Sequence, residues 1–326
     1  MDHVLGGIMK KIIQFIVFLS VIGTLMGAGT GSYYKLPSLE FDELEYGFDV
    51  KHIQIGNVDL AYIEQGQGPQ TILLIHGLGS YARAWTKNIE VLSKTHRVIA
   101  VDLPGYGHSS KGHYEYSMSF NADVLRHFIQ ELDLGSVIVA GHSMGGQIAM
   151  TLALESPEMV AKLILISPAG FERFNEGESA WMKNVMTPEL VRDTPVRAIA
   201  KNVSINFYEF PKDAAWMITD RIQLRGATDF EDYCYAVSKN VEGMLRGIVW
   251  DKLDQIRQPT LVLFGANDAL IPNRFLHPGW TKDIAEIAKE IPNSAVKVIP
   301  KCGHFVQLDA HEAANQLITE FLLGNP

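Results

Sequence analysis

The chain has 326 residues, 47% of them apolar and 20% charged, with 28 Lys and Arg against 37 Asp and Glu for a formal charge of −9. That length suits one domain with an insertion, and that composition suits a large hydrophobic core rather than a disordered chain. The acidic balance, with no Lys/Arg-rich run, argues against nucleic acid as a partner and gives no attraction to an anionic membrane surface.

Lys10 and Lys11 precede an apolar run over residues 12–29. A basic start followed by an apolar stretch is an export signal, and the small residues Gly27 to Ser32 offer cleavage after Ala28 or Gly29. The run also approaches the roughly 20 residues that span a bilayer, so an uncleaved anchor fits as well. A buried soluble helix is the remaining alternative. Residues 1–32 are therefore expected to be a signal peptide or membrane anchor. The rest of the chain would lie outside the cytoplasm, whether periplasmic, secreted or membrane-anchored. Any membrane attachment would run through residues 12–29. The glycines at 27, 29 and 31 do not form a dinucleotide loop, because Ser32 stands where a third Gly is needed and no strand precedes it.

Residues 33–48 read as a linker with an acidic patch. Strands are expected at His52–Ile55 and Leu60–Glu64, joined by the turn pair Gly56-Asn57. The apolar runs at Thr71–His76 and Arg97–Asp102 suit strands buried on both faces, and further strands are expected at Val137–Ala140, Leu163–Ser167, Thr260–Phe264 and Ala295–Ile299. Helical spacing marks Trp85–Leu92, Ser119–Leu132, Gln147–Leu154 and Glu312–Leu323. This alternation predicts an α/β fold, a mostly parallel sheet with helices on both faces. It breaks between 171 and 250, where helices are expected around Pro188–Asn202, Pro211–Arg225 and Phe230–Arg246. Residues 33–170 and 251–326 would form the two parts of the core, and 171–250 a helical cap inserted over the C-terminal edge of the sheet.

Gly141-His142-Ser143-Met144-Gly145 lies directly between a predicted strand and a predicted helix. Gly141 and Gly145 lack the Cβ atoms that would clash at so sharp a corner, which lifts the Ser143 hydroxyl above the sheet. The helix N-terminus favours a developing negative charge there. A serine nucleophile needs a base, and the base needs an orienting carboxylate. Asp268 follows the strand Thr260–Phe264, and His304 follows Ala295–Ile299, so both reach the same sheet edge as Ser143. Asp268 could instead be an Asx-turn residue, and His304 a surface loop histidine. Glu172, Asp251 and Asp254 compete as carboxylates, and His277 and His311 as bases, from poorer positions. The backbone N–H groups of Leu78 and Met144 are the candidate oxyanion donors, supported by the His76-Gly77-Leu78-Gly79 turn.

Together His76-Gly77-Leu78-Gly79, Asp102-Leu103-Pro104-Gly105-Tyr106-Gly107-His108-Ser109, Gly141-His142-Ser143-Met144-Gly145-Gly146, Gly265-Ala266-Asn267-Asp268 and Gly303-His304-Phe305 resemble the successive motifs of the α/β-hydrolase superfamily, of the serine esterase and lipase type. They span about residues 50–170 and 255–326. The N-terminal apolar segment with Ser167-Pro168-Ala169-Gly170 is similar to monoacylglycerol-lipase-like members and to bacterial exported lipases. Meta-cleavage-product hydrolases, which break C–C bonds, share nearly all these motifs. The sequence departs from many members at Leu308-Asp309-Ala310-His311-Glu312, where an acidic residue and a proline are usual.

The resemblance implies hydrolysis of a small-molecule ester with an apolar acyl part, an acylglycerol among the candidates, through an acyl-enzyme on Ser143. A C–C hydrolase or a non-catalytic ligand receptor on the same fold are the alternatives. No cofactor is implied, and no His/Cys/Glu spacing suits a metal. Within the insertion, some of Trp181, Met182, Met186, Phe207, Tyr208, Phe210, Trp216, Met217, Ile218 and Leu224 are expected to line an acyl pocket, the others packing its own small core. Cys234 and Cys302 read as free, buried thiols, with a single bridge left open.

Overall fold

The computed structural model describes residue 33 and residues 35–324. The apolar run at 12–29 and the small residues after it lie outside the described residues. Among the described residues no helix is long and apolar enough to cross a membrane.

Among the described residues eight strands form one sheet: β1 (Val50–Ile55), β2 (Val58–Gln65), β3 (Thr71–Ile75), β4 (Arg97–Val101), β5 (Val137–His142), β6 (Val160–Ile166), β7 (Thr260–Gly265) and β8 (Ser294–Ile299). Their order is β1-β2-β4-β3-β5-β6-β7-β8. β1 and β2 form an antiparallel hairpin closed at Ile55↔Val58, and Gly56 in its turn has φ +58°, a conformation that costs glycine little. β2 runs antiparallel to β4, and the remaining neighbours are parallel. The central strands are mainly apolar because helices cover both faces; β3, β5 and β7 are buried along their whole length.

The covering helices are α1 (Thr86–Leu92), α2 (Met118–Glu131), α3 (Met144–Glu155), α9 (Thr281–Ala288), α10 (Val306–Asp309) and α11 (His311–Leu322). Between β6 and β7 the chain forms α4 (Glu176–Val185), α5 (Pro188–Arg192), α6 (Val196–Ser204), α7 (Trp216–Gln223) and α8 (Phe230–Arg246), with no strand. The single helix expected around Pro188–Asn202 is two, because Pro195 caps the second: a proline cannot donate to the preceding turn. The segment Pro211–Arg225 is likewise helical only from Trp216 to Gln223, flanked by short 3₁₀ turns.

Buried amides fasten this insertion to the core. Asn240 on α8 bonds Asn121 and the Tyr106 hydroxyl, each at 3.1 Å. Gln147 on α3 donates to the carbonyls of Met244 (2.9 Å) and Gly247 (2.6 Å). Amides paired in this way fix one docking geometry, since each would be costly to leave unsatisfied. Both cysteines are free and buried, and burial pushes the Cys234 thiol up to about 11.

Candidate active site

The parallel strands end at one edge of the sheet, as the register pairs Ile75↔Gly141, His142↔Ile166 and Gly265↔Ile299 require. Every expected site residue sits at that edge, at a strand end, at a helix start or on the loop between them. Ser143 forms the corner between β5 and α3 with φ 53° and ψ −119°, a backbone state that costs a non-glycine residue about 1–3 kcal/mol. Close packing enforces it. A Cβ on Gly141 would strike the carbonyl of Gly145, and one on Gly145 would strike the carbonyls of Ile75 and His76. The Ser143 N–H donates to Ile166 (2.9 Å), while its carbonyl accepts from Gly146 (2.9 Å) and Ala169 (3.0 Å).

His304 is held at four points. Its Nδ1 lies 2.8 Å from Asp268 Oδ2, with both residues buried. Its N–H donates to the Asn206 carbonyl at 2.7 Å, which ties it to the helical insertion. Its carbonyl accepts from His142 Nε2 at 3.1 Å, and its ring packs on the His142 ring with centroids 4.8 Å apart. Burial holds His142 well below the ordinary histidine range, so it stays neutral beside His304. Asp268 Oδ1 accepts from the backbones of Leu270 (2.8 Å) and Ile271 (3.1 Å). The Asx-turn alternative thus describes one oxygen of this carboxylate, and the histidine takes the other. Among the described residues the Ser143 hydroxyl has no hydrogen-bond partner; such contacts are often long before substrate arrives.

The two candidate donors are open. Neither the Leu78 N–H nor the Met144 N–H has an acceptor among the described residues. His76 explains the aim of the first. Its Nε2 accepts from the Leu103 N–H (3.0 Å), so Nδ1 carries the proton and donates to the Gly77 carbonyl (2.8 Å). With that carbonyl fixed, the N–H of the same planar peptide, that of Leu78, points the opposite way. Gly77 must be glycine for the loop to pass the site, since a Cβ would lie 2.9 Å from His142 Nδ1 and 3.0 Å from Ser143 Cβ.

Several supports were not read from the sequence. Asp102, fully buried, accepts from Ala82 N–H (2.7 Å), His108 N–H (2.8 Å) and the Tyr46 hydroxyl (2.7 Å), and so organises the loop after β4. Asp309, within the segment that departs from the family pattern, accepts from the N–H groups of Gly303 (2.6 Å) and Tyr208 (2.8 Å), and so braces the His304 loop. Glu172 and His277, weighed only as rivals, pair with each other at 2.9 Å. Glu172 also accepts from Asn273 N–H (2.7 Å), and His277 Nε2 lies 3.4 Å from Glu178 on α4. They clasp the Asp268 loop to the helical insertion. His311 only approaches the Leu308 carbonyl (3.3 Å).

Above Ser143 and His304 lies a cavity of about 1190 Å³, larger than the roughly 300–1,000 Å³ usual for small-molecule sites. Trp181, Met182, Met186, Trp216, Met217 and Leu224 line it, as the sequence led one to expect of some of the group. Phe207 instead stacks on Phe305 and meets Phe210 edge-on, Ile218 packs with Val196 and Ile199, and Tyr208 is exposed. Among the described residues no cluster of three or more potential metal ligands occurs.

A strained serine over a parallel sheet, a buried His–Asp pair and two open N–H donors define a serine hydrolase of the α/β-hydrolase class. The family model for the alpha/beta hydrolase fold matches residues 70–311, and the chain belongs to that family. It is 30% identical to a 2-hydroxy-6-oxononadienedioate/2-hydroxy-6-oxononatrienedioate hydrolase of Pseudomonas putida, over 83% of this chain and 94% of that one. Among solved structures it resembles an esterase from Thermogutta terrifontis, with 26% identity, TM-score 0.69, and coverage of 85% of this chain and 99% of that one. It also resembles a bacterial membrane phospholipase A, with 26% identity, TM-score 0.68, and coverage of 100% and 99%.

Proposed function

We propose that the protein hydrolyses carboxylic esters with an apolar acyl group through an acyl-enzyme on Ser143. The observation that carries this reading is the large, mainly apolar cavity that opens on Ser143 and His304. His304 Nε2 takes the Ser143 proton as the hydroxyl oxygen attacks the ester carbonyl. The N–H groups of Leu78 and Met144 hold the oxyanion, and Asp268 stabilises the imidazolium. His304 then protonates the leaving alcohol, and water repeats the sequence to release the acid. The likeness to the esterase and to the membrane phospholipase A supports this choice of bond. For residues 12–29 the proposed role is export or membrane attachment, on the basic start at Lys10 and Lys11 and the apolar run that follows.

The relative from Pseudomonas putida favours a second reading, hydrolysis of a C–C bond in a vinylogous diketone. Steady-state rates on 4-nitrophenyl esters from butyrate to palmitate, beside a ring-cleavage diketone, separate the two. Ester turnover that peaks at medium or long chains and disappears in Ser143→Ala supports the first. A higher kcat/KM for the diketone than for any ester supports the second. No turnover of either overturns both and leaves a ligand-binding role.

A further inference from the structure

Residues 35–48, expected to belong to a linker, instead bridge the helical insertion and the core. On the insertion, the Leu39 N–H donates to the Gln223 carbonyl at 3.3 Å, and the Glu40 carboxylate accepts from the Thr228 N–H (2.8 Å) and hydroxyl (3.2 Å). On the core, His108 Nε2 donates to the Leu44 carbonyl at 2.8 Å. The Tyr46 hydroxyl bonds Asp102, and its ring stacks on Tyr81 with centroids 5.4 Å apart. Phe41, Leu44 and Tyr46 are buried, as linker residues would not be.

Phe41 stands between these clamps, at the head of a short 3₁₀ turn, and lines the cavity that contains Ser143. Its ring is gripped from both parts of the molecule. Lys111 Nζ sits 4.1 Å from the ring centroid and donates to the Ser109 carbonyl at 2.8 Å. The Tyr233 ring on α8 lies 5.5 Å away. Tyr233 lines the cavity as well, and its hydroxyl stands 3.5 Å from where a Cβ of Gly79 would be. Phe41 is thus one ring removed from the turn that carries the Leu78 donor. A ring packed against a cation and an aromatic neighbour, on a backbone tied at both ends, does not swing aside for a wider ligand. The family model begins at residue 70, so this part of the wall comes from outside the shared fold.

We propose that Phe41 is a specificity-determining residue that sets the width of the cavity beside the oxyanion turn and so limits branching next to the scissile ester. This rests on the ester reading above and narrows it to esters that are straight at the carbon flanking that group. One methylene too many in an apolar pocket is discriminated against by about tenfold or more.

The test compares straight and branched substrates in the wild type, Phe41→Leu and Phe41→Trp, with folding checked by thermal melting. Leucine keeps the core partly filled, which alanine would not. On the acyl arm, 4-nitrophenyl pentanoate is set against 4-nitrophenyl 2,2-dimethylpropanoate; on the alcohol arm, butyl hexanoate against tert-butyl hexanoate. The ratio of kcat/KM within one variant cancels the amount of active enzyme, so a loss of stability alone does not move it. In at least one arm the wild type should prefer the straight ester beyond the ratio of the alkaline hydrolysis rates. That preference should fall about tenfold in Phe41→Leu and rise in Phe41→Trp. The arm that responds is the one Phe41 faces. No such preference in the wild type overturns the proposal, as does one that Phe41→Leu leaves unchanged in both arms. If Phe41→Trp does not fold, Phe41→Leu decides alone. If no ester is hydrolysed, the ester reading fails and calorimetry decides the wall by itself. Affinity for 4-(1-adamantyl)phenol rising tenfold relative to 4-hexylphenol in Phe41→Leu upholds it, and an unchanged ratio overturns it.

Discussion

Replacing Asp268 with Asn separates the catalytic work of this carboxylate from its structural work. Oδ1 holds the N–H groups of Leu270 and Ile271, and Oδ2 faces His304 Nδ1 at 2.8 Å. An Asn side chain keeps both backbone bonds only with its carbonyl at the Oδ1 position. Its NH2 then faces Nδ1, which must become an acceptor. The imidazole proton moves to Nε2, the nitrogen that should receive the serine proton. The fold should survive, at a cost of about 1.5–3 kcal/mol for one charged hydrogen bond. The rate should not survive: a histidine in the wrong tautomer costs about a thousand- to ten-thousandfold in kcat in serine hydrolases. Asp268→Ala makes the contrast, because it strands the buried Ile271 N–H, worth about 1–3 kcal/mol, and frees the half-buried Leu270 N–H as well, and should melt well below Asp268→Asn. Parallel thermal melts and kcat measurements on the best ester read both effects. An Asp268→Asn enzyme within tenfold of wild-type kcat would refute this reasoning.

The Glu172–His277–Glu178 clasp should make stability depend on pH. Burial alone would lower the His277 value, but the two carboxylates outweigh it and the net shift is upward; burial raises Glu172 as well. Both shifts mean that the folded state holds protons more tightly than the unfolded chain. The His277 contribution is therefore full below the unfolded histidine value of about 6.5 and is lost as pH rises through the folded His277 value, whereas the Glu172 contribution is full only below the unfolded glutamate value of about 4.3. The melting gap between wild type and His277→Gln should be widest near pH 5–6 and narrow toward pH 9; a gap that grows with pH contradicts the assignment. Gly145→Ala places a methyl group against two main-chain carbonyls, with no flexible side chain to yield. It should cost at least about 3 kcal/mol and several degrees in Tm, and an unaltered melt would show that the corner is looser than described.

The corner at Ser143 was legible because its cause is local: a buried strand, two obligatory glycines and a helix in sequence. Asp268 was legible because it follows a buried apolar strand and His304 because it follows the edge strand Ser294–Ile299, and parallel strands carry their ends to one edge. The helix Glu176–Val185 escaped because none of its side chains is buried, so its sequence carries no core-facing stripe. Thr281–Ala288 escaped as well, a short helix behind a loop containing Pro272, Pro278 and Gly279. The supports of the site were hidden for another reason. His277 meets Glu172 and Glu178 about a hundred residues away. Contacts that are set by how the insertion folds over the sheet leave no periodic trace in the chain.

The central claim is that the hydroxyl of Ser143 is an activated nucleophile. Incubation with a fluorophosphonate, followed by peptide mass analysis, tests it most directly. The account predicts one adduct per chain, on the peptide that contains Ser143, absent in Ser143→Ala and formed far more slowly in Asp268→Asn. A folded protein that takes no label, or takes it at another residue, would contradict the account.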